Sequence, residues 1–305
     1  MLATYERIYL TFNAWQLTQG FNKMEILVLT TFHQPGLDKY GQRFLNSFAE
    51  QVDKRIKLLV YAESCNPVNP DPEQITILDS FEALPKLNNF KNKWKNVPKA
   101  NGKCPWPERR PRDHHKEFKW DAVRFANKVY AVFDACEEEG SDWVVWVDGD
   151  TYVHSEWSYD NFARLLPNES WLTYVGRGQG SQTWPECGFY GLNMNDKQCR
   201  KFLQDFEEAY EDADGPKGIF QLAEWHDSYV FGDILNKHRN YNPRVLDYSA
   251  AIYVKTAKTG GGGHPLINTE LGRYIDHMKG ARKHDGHSQR KDLMGHRTEA
   301  YWNEI

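Results

Sequence analysis

Apolar residues recur along the chain in two rhythms. Short apolar runs bounded by polar or turn-forming residues lie at 25–32 (EILVLTTF), 56–62 (IKLLVYA), 143–147 (WVVWV), 171–175 (WLTYV), 188–193 (GFYGLN) and 249–255 (SAAIYVK), and they predict strands. Between them, helical spacing predicts helices over 39–53, where Phe44 and Phe48 stand four apart, and over 118–135, where Phe118, Ala122, Phe125, Val129 and Phe133 share one face. Residues 197–212 and 221–237 predict two more helices, the first of them acidic and exposed. Strand alternating with helix predicts an α/β fold with a central, mostly parallel sheet. Residues 80–117, rich in Asn, Lys and Pro, predict a long loop, and Gly260–Gly263 a flexible hinge.

The domain reading follows from these breaks. Residues 1–23 lack a clean apolar stretch and a small-residue cleavage site. They are expected to be an extension outside the native fold, with a short N-terminal helix as the alternative. Residues 24–259 are expected to form one folded domain. Residues 260–305 form a flexible, basic, His-rich segment. No run of about 18 apolar residues predicts a membrane span.

Composition changes this picture little. Of the 305 residues 40% are hydrophobic and 26% charged, as in an ordinary globular protein. The formal net charge of −4 excludes a simple polyanion binder, but the charge is uneven. Residues 103–119 carry six Lys/Arg against three acidic residues, and 277–297 carry six against two, with four histidines. The five cysteines, widely spaced and without a C-x-x-C pair, exclude a zinc ribbon and a disulfide framework and suit a reduced, cytoplasmic compartment.

The candidate chemistry begins where the apolar run 143–147 meets Asp148-Gly149-Asp150. Residues i and i+2 of an extended segment point the same way, so both carboxylates can address one hard cation while Gly149 lets the backbone come close. Mg²⁺ or Mn²⁺ takes such oxygen ligands and completes its shell with substrate phosphates. In open α/β sheets the ligand crevice lies beyond the carboxyl ends of the strands, where this segment falls. On the helix before it, Asp121, Arg124 and Lys128 form a polar row, and Arg124 is its candidate ligand contact.

This segment resembles the D-x-D signature of GT-A glycosyltransferases, in which the two Asp hold a divalent cation bridging the donor diphosphate. Residues 277–283 (HMKGARK) fit H-x-x-G-x-x-K and resemble the C-terminal motif of glycogenin-like, family 8 enzymes. The Pro-Trp that follows the Lys in that family is replaced by His284-Asp285. The resemblance implies a GT-A, Rossmann-like domain and a metal held by Asp148, Asp150 and His277, with His264 and His287 as competing ligands. It implies diphosphate contacts from Gly280 and Lys283, and donor contacts from Asp148 and Gly149.

Further expectations follow from that resemblance. The nucleotide would lie at the ends of the first two strands, against Thr30, Thr31, Phe32 and Tyr61. Lys119 and Arg124 would add positive charge. The segment around Trp184, Glu186 and Gly188 would shape the sugar and acceptor pocket. Asp227 is the first choice of general base and Glu224 the second, since an attacking hydroxyl must lose its proton. The implied activity is metal-dependent transfer of a hexosyl or pentosyl group from a nucleotide-sugar, with UDP the expected nucleotide. The acceptor hydroxyl stays open among polysaccharide, protein, small molecule and, for a phage-type enzyme in the host cytoplasm, a hydroxymethylated DNA base. The alternatives are a nucleotidyltransferase, which would want a glycine-rich phosphate loop after the first strand, and a non-catalytic carbohydrate- or nucleic-acid-binding protein.

Overall fold

The computed structural model describes residues 24–137, 140–178, 184–252, 264–280 and 282–305. The strands are β1 (Ile26–His33), β2 (Lys57–Glu63), β3 (Ile75–Asp79), β4 (Trp143–Val147), β5 (Thr151–Val153), β6 (Leu172–Val175), β7 (Glu186–Asn193), β8 (Val245–Asp247) and β9 (Ile275–His277). Seven of them form one sheet in the order β3-β2-β1-β4-β7-β6-β8. The β3-β2, β2-β1, β1-β4 and β6-β8 pairs are parallel, and β7 runs antiparallel to both neighbours. The α/β class with a mixed, mostly parallel sheet is therefore the one observed. β5 and β9 pair antiparallel in a separate two-stranded sheet.

The longer helices are α1 (Gln42–Gln51), α2 (Pro85–Trp94), α3 (Ala122–Glu137), α4 (Lys197–Glu211) and α5 (Asp227–Tyr241). Strand alternation sorts the core onto two faces. Val144 and Trp146 of β4 join the cluster built from α2, α3, α4 and α5. Trp143, Val145 and Val147 join the opposite cluster, with Phe44, Leu45 and Phe48 of α1. All five β4 side chains are buried, as a central strand covered on both faces requires.

Several expectations are corrected. The predicted loop 80–117 contains α2, because Leu87, Phe90 and Trp94 line one helical face and bury it amid the lysines and asparagines. The helix predicted from residue 118 begins at Ala122; Phe118 sits in a short 3₁₀ turn and is exposed. The helix predicted over 221–237 runs from Asp227 to Tyr241. The late strand is β8, before the predicted 249–255; residues 249–251 form a turn, and 253–255, like Gly260–Gly263 and the 1–23 extension, lie outside the described residues. From residue 264 onward the chain is no loose tail. Leu266, Ile267, Leu271, Ile275 and Trp302 are buried in the α1-side core. No helix among the described residues is long and apolar enough to cross a membrane.

Candidate active site

Parallel pairing brings the carboxyl ends of β1, β2 and β4 to one edge of the sheet. The antiparallel β7 begins at that same edge, where the Asp148 N–H donates to the Gly188 carbonyl at 3.0 Å. Gly149 is needed for the closeness of this corner. A Cβ there would stand 3.0 Å from the Phe32 ring and 3.2 Å from the Thr31 carbonyl. The chain then enters β5, whose Thr151 pairs with His277 of β9, while the Met278 N–H donates to the Asp150 carbonyl at 2.8 Å. The small second sheet thus clips the C-terminal histidine onto the two aspartates.

Asp148, Asp150 and His277 converge so that one ligand atom from each lies within 4.8 Å of the others. The His277 Nε2 stands 3.2 Å from Asp150 Oδ1 and 3.4 Å from Asp148 Oδ2. Although so near both carboxylates, the two nitrogens of this fully buried ring have no partner in hydrogen-bond geometry. Buried polar atoms are normally paired. A nitrogen aimed between two carboxylate oxygens, with no bond of its own, fits a shared divalent cation. Burial opposes protonation of His277, but the Asp150 and Asp148 carboxylates outweigh it and lift its pKa to about 9. The same imidazolium holds Asp150 down at about 2, against the effect of its own burial. His264, the competing ligand, lies behind His277 with its ring centroid 5.0 Å away. Burial and the His277 charge push its pKa down to about 3.

Gly188 packs against the His277 ring and is not among the residues lining the cavity. A Cβ at this position would stand 2.6 Å from His277 Cε1 and 2.8 Å from Nδ1. Gly188→Ala is therefore expected to push the imidazole out of place. Mn²⁺ affinity should fall on the order of tenfold to a hundredfold, as when a ligand loses its orienting support. Isothermal titration checks this, and an unchanged affinity would show that His277 does not hold the ion.

Lys128 organises the other side of Asp148. Its Nζ donates to Asp148 Oδ1 at 2.9 Å, lies 2.9 Å from Asp227 Oδ2, and also reaches the Cys187 carbonyl. Burial alone would discharge this ammonium, but Asp148 and Asp227 together hold its pKa well above the usual lysine value. The Trp146 indole N–H donates to the same Asp148 oxygen at 2.7 Å. Asp227 opens α5, and the preceding residue, His226, caps the helix.

These groups line a cavity of about 510 Å³ together with Thr31, Phe32, Tyr40, Glu63, Arg124, Trp184, Glu186, Lys279, Gly280 and Lys283. Lys283 Nζ lies 2.8 Å from Asp150 Oδ2. Glu186 is ion-paired to Lys279 at 2.7 Å and to Arg177 at 3.1 Å; these cations overcome its burial and keep its pKa well below the usual carboxylate range.

Four of the sequence-predicted residues stand elsewhere, besides Gly188. Thr30 is fully buried in β1, beside Gly149. Tyr61 points into the core, where its hydroxyl donates to Asp134 at 2.6 Å. Lys119 and Glu224 are locked together at 2.7 Å, with Arg110 and His226 each 3.2 Å from Glu224. The hydrogen bonds from His226 and Lys119 overcome burial and lower the pKa of Glu224, so it is a structural anion rather than a free base. Sequence reasoning missed Lys279 and the central place of Lys128. Glu63, at the end of β2, faces the cavity, accepts the Thr31 hydroxyl at 2.7 Å and has its pKa raised by burial.

No protein-family model and no curated protein matches the chain. Among solved structures it is similar to the WbbM bifunctional glycosyltransferase in its apo structure, with 13% identity and a TM-score of 0.40 over 75% of this chain. The chain spans 39% of the length of that protein. A likeness so distant carries neither a family nor an activity.

Proposed function

We propose that this chain is a metal-dependent glycosyltransferase of the GT-A type, acting on a nucleotide-sugar donor. The observation that carries the reading is the convergence of Asp148, Asp150 and the buried His277 at the carboxyl edge of the parallel strands, beside a cavity lined by both aspartates and by Lys279, Gly280 and Lys283. Two carboxylates and an imidazole make a donor set for Mn²⁺ or Mg²⁺. When bound, the cation supplies neutralisation of the departing diphosphate. Lys283 and Lys279 add ammonium groups on the same side, and Gly280, at φ +66°, leaves space open beside its backbone. Thr31, Phe32 and Glu63 wall the end where a nucleoside would lie.

Asp227 is the proposed proton acceptor. It reaches the cavity from the first turn of α5 and is oriented by Lys128. In the inverting form of the reaction, the acceptor oxygen attacks the anomeric carbon. The bond from that carbon to the diphosphate oxygen breaks, its electron pair leaves on the diphosphate, and the hydroxyl proton passes to Asp227.

The experiment is a panel of UDP-, GDP- and other nucleotide-sugars, titrated with Mn²⁺ and with EDTA. Metal-dependent binding of one donor supports the reading; no binding of any donor removes it. Metal uptake should also release protons. With a pKa of about 9, His277 is protonated in the metal-free protein at neutral pH. Binding near pH 7.5 should therefore expel about one proton per ion, and apparent affinity should weaken as pH falls. Calorimetry in buffers of different ionisation enthalpy reads that number. Loss of the release in His277→Ala is the expected control.

A further inference from the structure

A second cavity, of about 600 Å³, opens beside the first. Trp184 lines both. The Glu186–Arg177 ion pair joins them as well, since Glu186 faces the first cavity and Arg177 the second. Helix α5 is their common wall: Asp227 and Ser228 face the first, while Tyr229, Asp233, Asn236 and Arg239 face the second. Gly232 seats this wall tightly, because a Cβ there would meet the Pro185 ring at 2.7 Å. A molecule in the second cavity thus approaches the donor side past Trp184, next to Asp227.

We propose that this second cavity is the acceptor site and that it takes a neutral carbohydrate. The inference rests on the glycosyltransferase reading above and names its acceptor class. Three of its four charges are already compensated within the protein, and the fourth, Arg239, donates to the Tyr174 hydroxyl at 3.3 Å. Arg177 is paired with Glu186 at 3.1 Å and Asp233 with Lys237 at 2.7 Å. Asp247 accepts from the Gly176 N–H, the Ser249 N–H and the Ser249 hydroxyl at 2.7–2.8 Å. The lining holds two arginines against two aspartates, so it presents no net field to a phosphate chain. What it presents instead is aromatic faces from Trp184 and Tyr229 beside amide, guanidinium and carboxylate groups, which suit the apolar faces and hydroxyls of a sugar.

Part of the basic patches that would favour a nucleic acid is paired within the protein, and Lys279 and Lys283 are already assigned to the donor side. Lys279, Arg282, Lys283 and Arg297, four of the six Lys/Arg of 277–297, are in ion pairs with Glu186, Asp292, Asp150 and Glu299. Arg110, Lys116 and Lys119 of the first patch are likewise paired.

The test uses Asn236→Trp, at an exposed position on α5 with no side-chain hydrogen bond among those described, which adds a bulky ring to the lining of the second cavity at a residue that does not line the first. Wild type and variant are applied to an array of neutral and anionic oligosaccharides and to a short DNA duplex, and donor binding is measured in parallel. The expected result is binding of at least one neutral oligosaccharide, insensitive to salt and weakened on the order of tenfold or more in the variant, with donor binding unchanged. Binding of the duplex alone, falling steeply with salt, overturns the proposal. So does neutral-glycan binding that the variant leaves intact, or no oligosaccharide binding at all. If the wild-type protein binds an oligosaccharide but no nucleotide-sugar, the glycosyltransferase reading fails while the carbohydrate site stands.

Discussion

Asp150→Ala is expected to abolish metal-dependent donor binding while the fold survives. Asp150 holds His277 at 3.2 Å through one oxygen and Lys283 at 2.8 Å through the other, so it links the proposed metal site to the proposed phosphate site. A direct ligand should matter more than the roughly 10–100-fold typical of supporting groups. Mn²⁺ affinity should therefore drop by about a hundredfold or more, and donor affinity with it. The His277 pKa should fall as well, since Asp150 is the largest influence raising it. Asp148→Ala is the less clean experiment, because it also strips Lys128 and the Trp146 indole of their partner. Wild-type Mn²⁺ affinity in Asp150→Ala would dismiss this carboxylate as a ligand.

Lys128→Met is expected to be damaging in a different way. The residue is only 8% exposed, and its ammonium is shared between Asp148 and Asp227. Removing one partner of a buried pair leaves uncompensated charge and costs about 3–5 kcal/mol. Here two carboxylates lose the same cation, so the destabilisation should reach at least the lower end of that range, read as a shift of the chemical-denaturation midpoint. Turnover should be lost too, because Asp227 loses the group that orients it. Adding Asp227→Asn to Lys128→Met should return part of the stability and none of the turnover. Separate, fully additive effects of the two substitutions would show that Lys128 and Asp227 are not coupled.

The contrast between Asp148-Gly149-Asp150 and Lys128 explains how much could be read beforehand. The aspartates follow five apolar residues of β4, and a buried strand ending in acidic residues declares itself locally. The H-x-x-G-x-x-K segment is likewise local, as three fixed residues within seven. Lys128 carries no local sign. On a helix it reads as one of a solvated polar row, and its burial depends on carboxylates 20 residues and about a hundred residues further along the chain. α2 was hidden by composition, since three buried apolar residues among Asn and Lys give a weak periodic signal. Residues 264–305 misled in the opposite sense: their histidines and lysines suggested a loose tail, while Leu266, Ile267, Leu271 and Trp302 tie them into the core. Glu224 stood second to Asp227 as a candidate base, and its burial among Lys119, Arg110 and His226 was not legible in the sequence.

The clip between β5 and β9 has a consequence for how the protein becomes competent during synthesis. β5 and the two aspartates leave the ribosome long before β9, and every strand of the seven-stranded sheet precedes β9 in the chain. A folding chain can therefore assemble the main sheet before β9 docks and brings His277 to the aspartates. Its carboxylates would then meet the cell's metal ions without their third ligand and with Lys128 as their nearby counter-charge. At the proposed site, the three-ligand set is complete only when β9 lays its edge along β5, so the proposed high-affinity metal binding would mark the last step of assembly rather than the first.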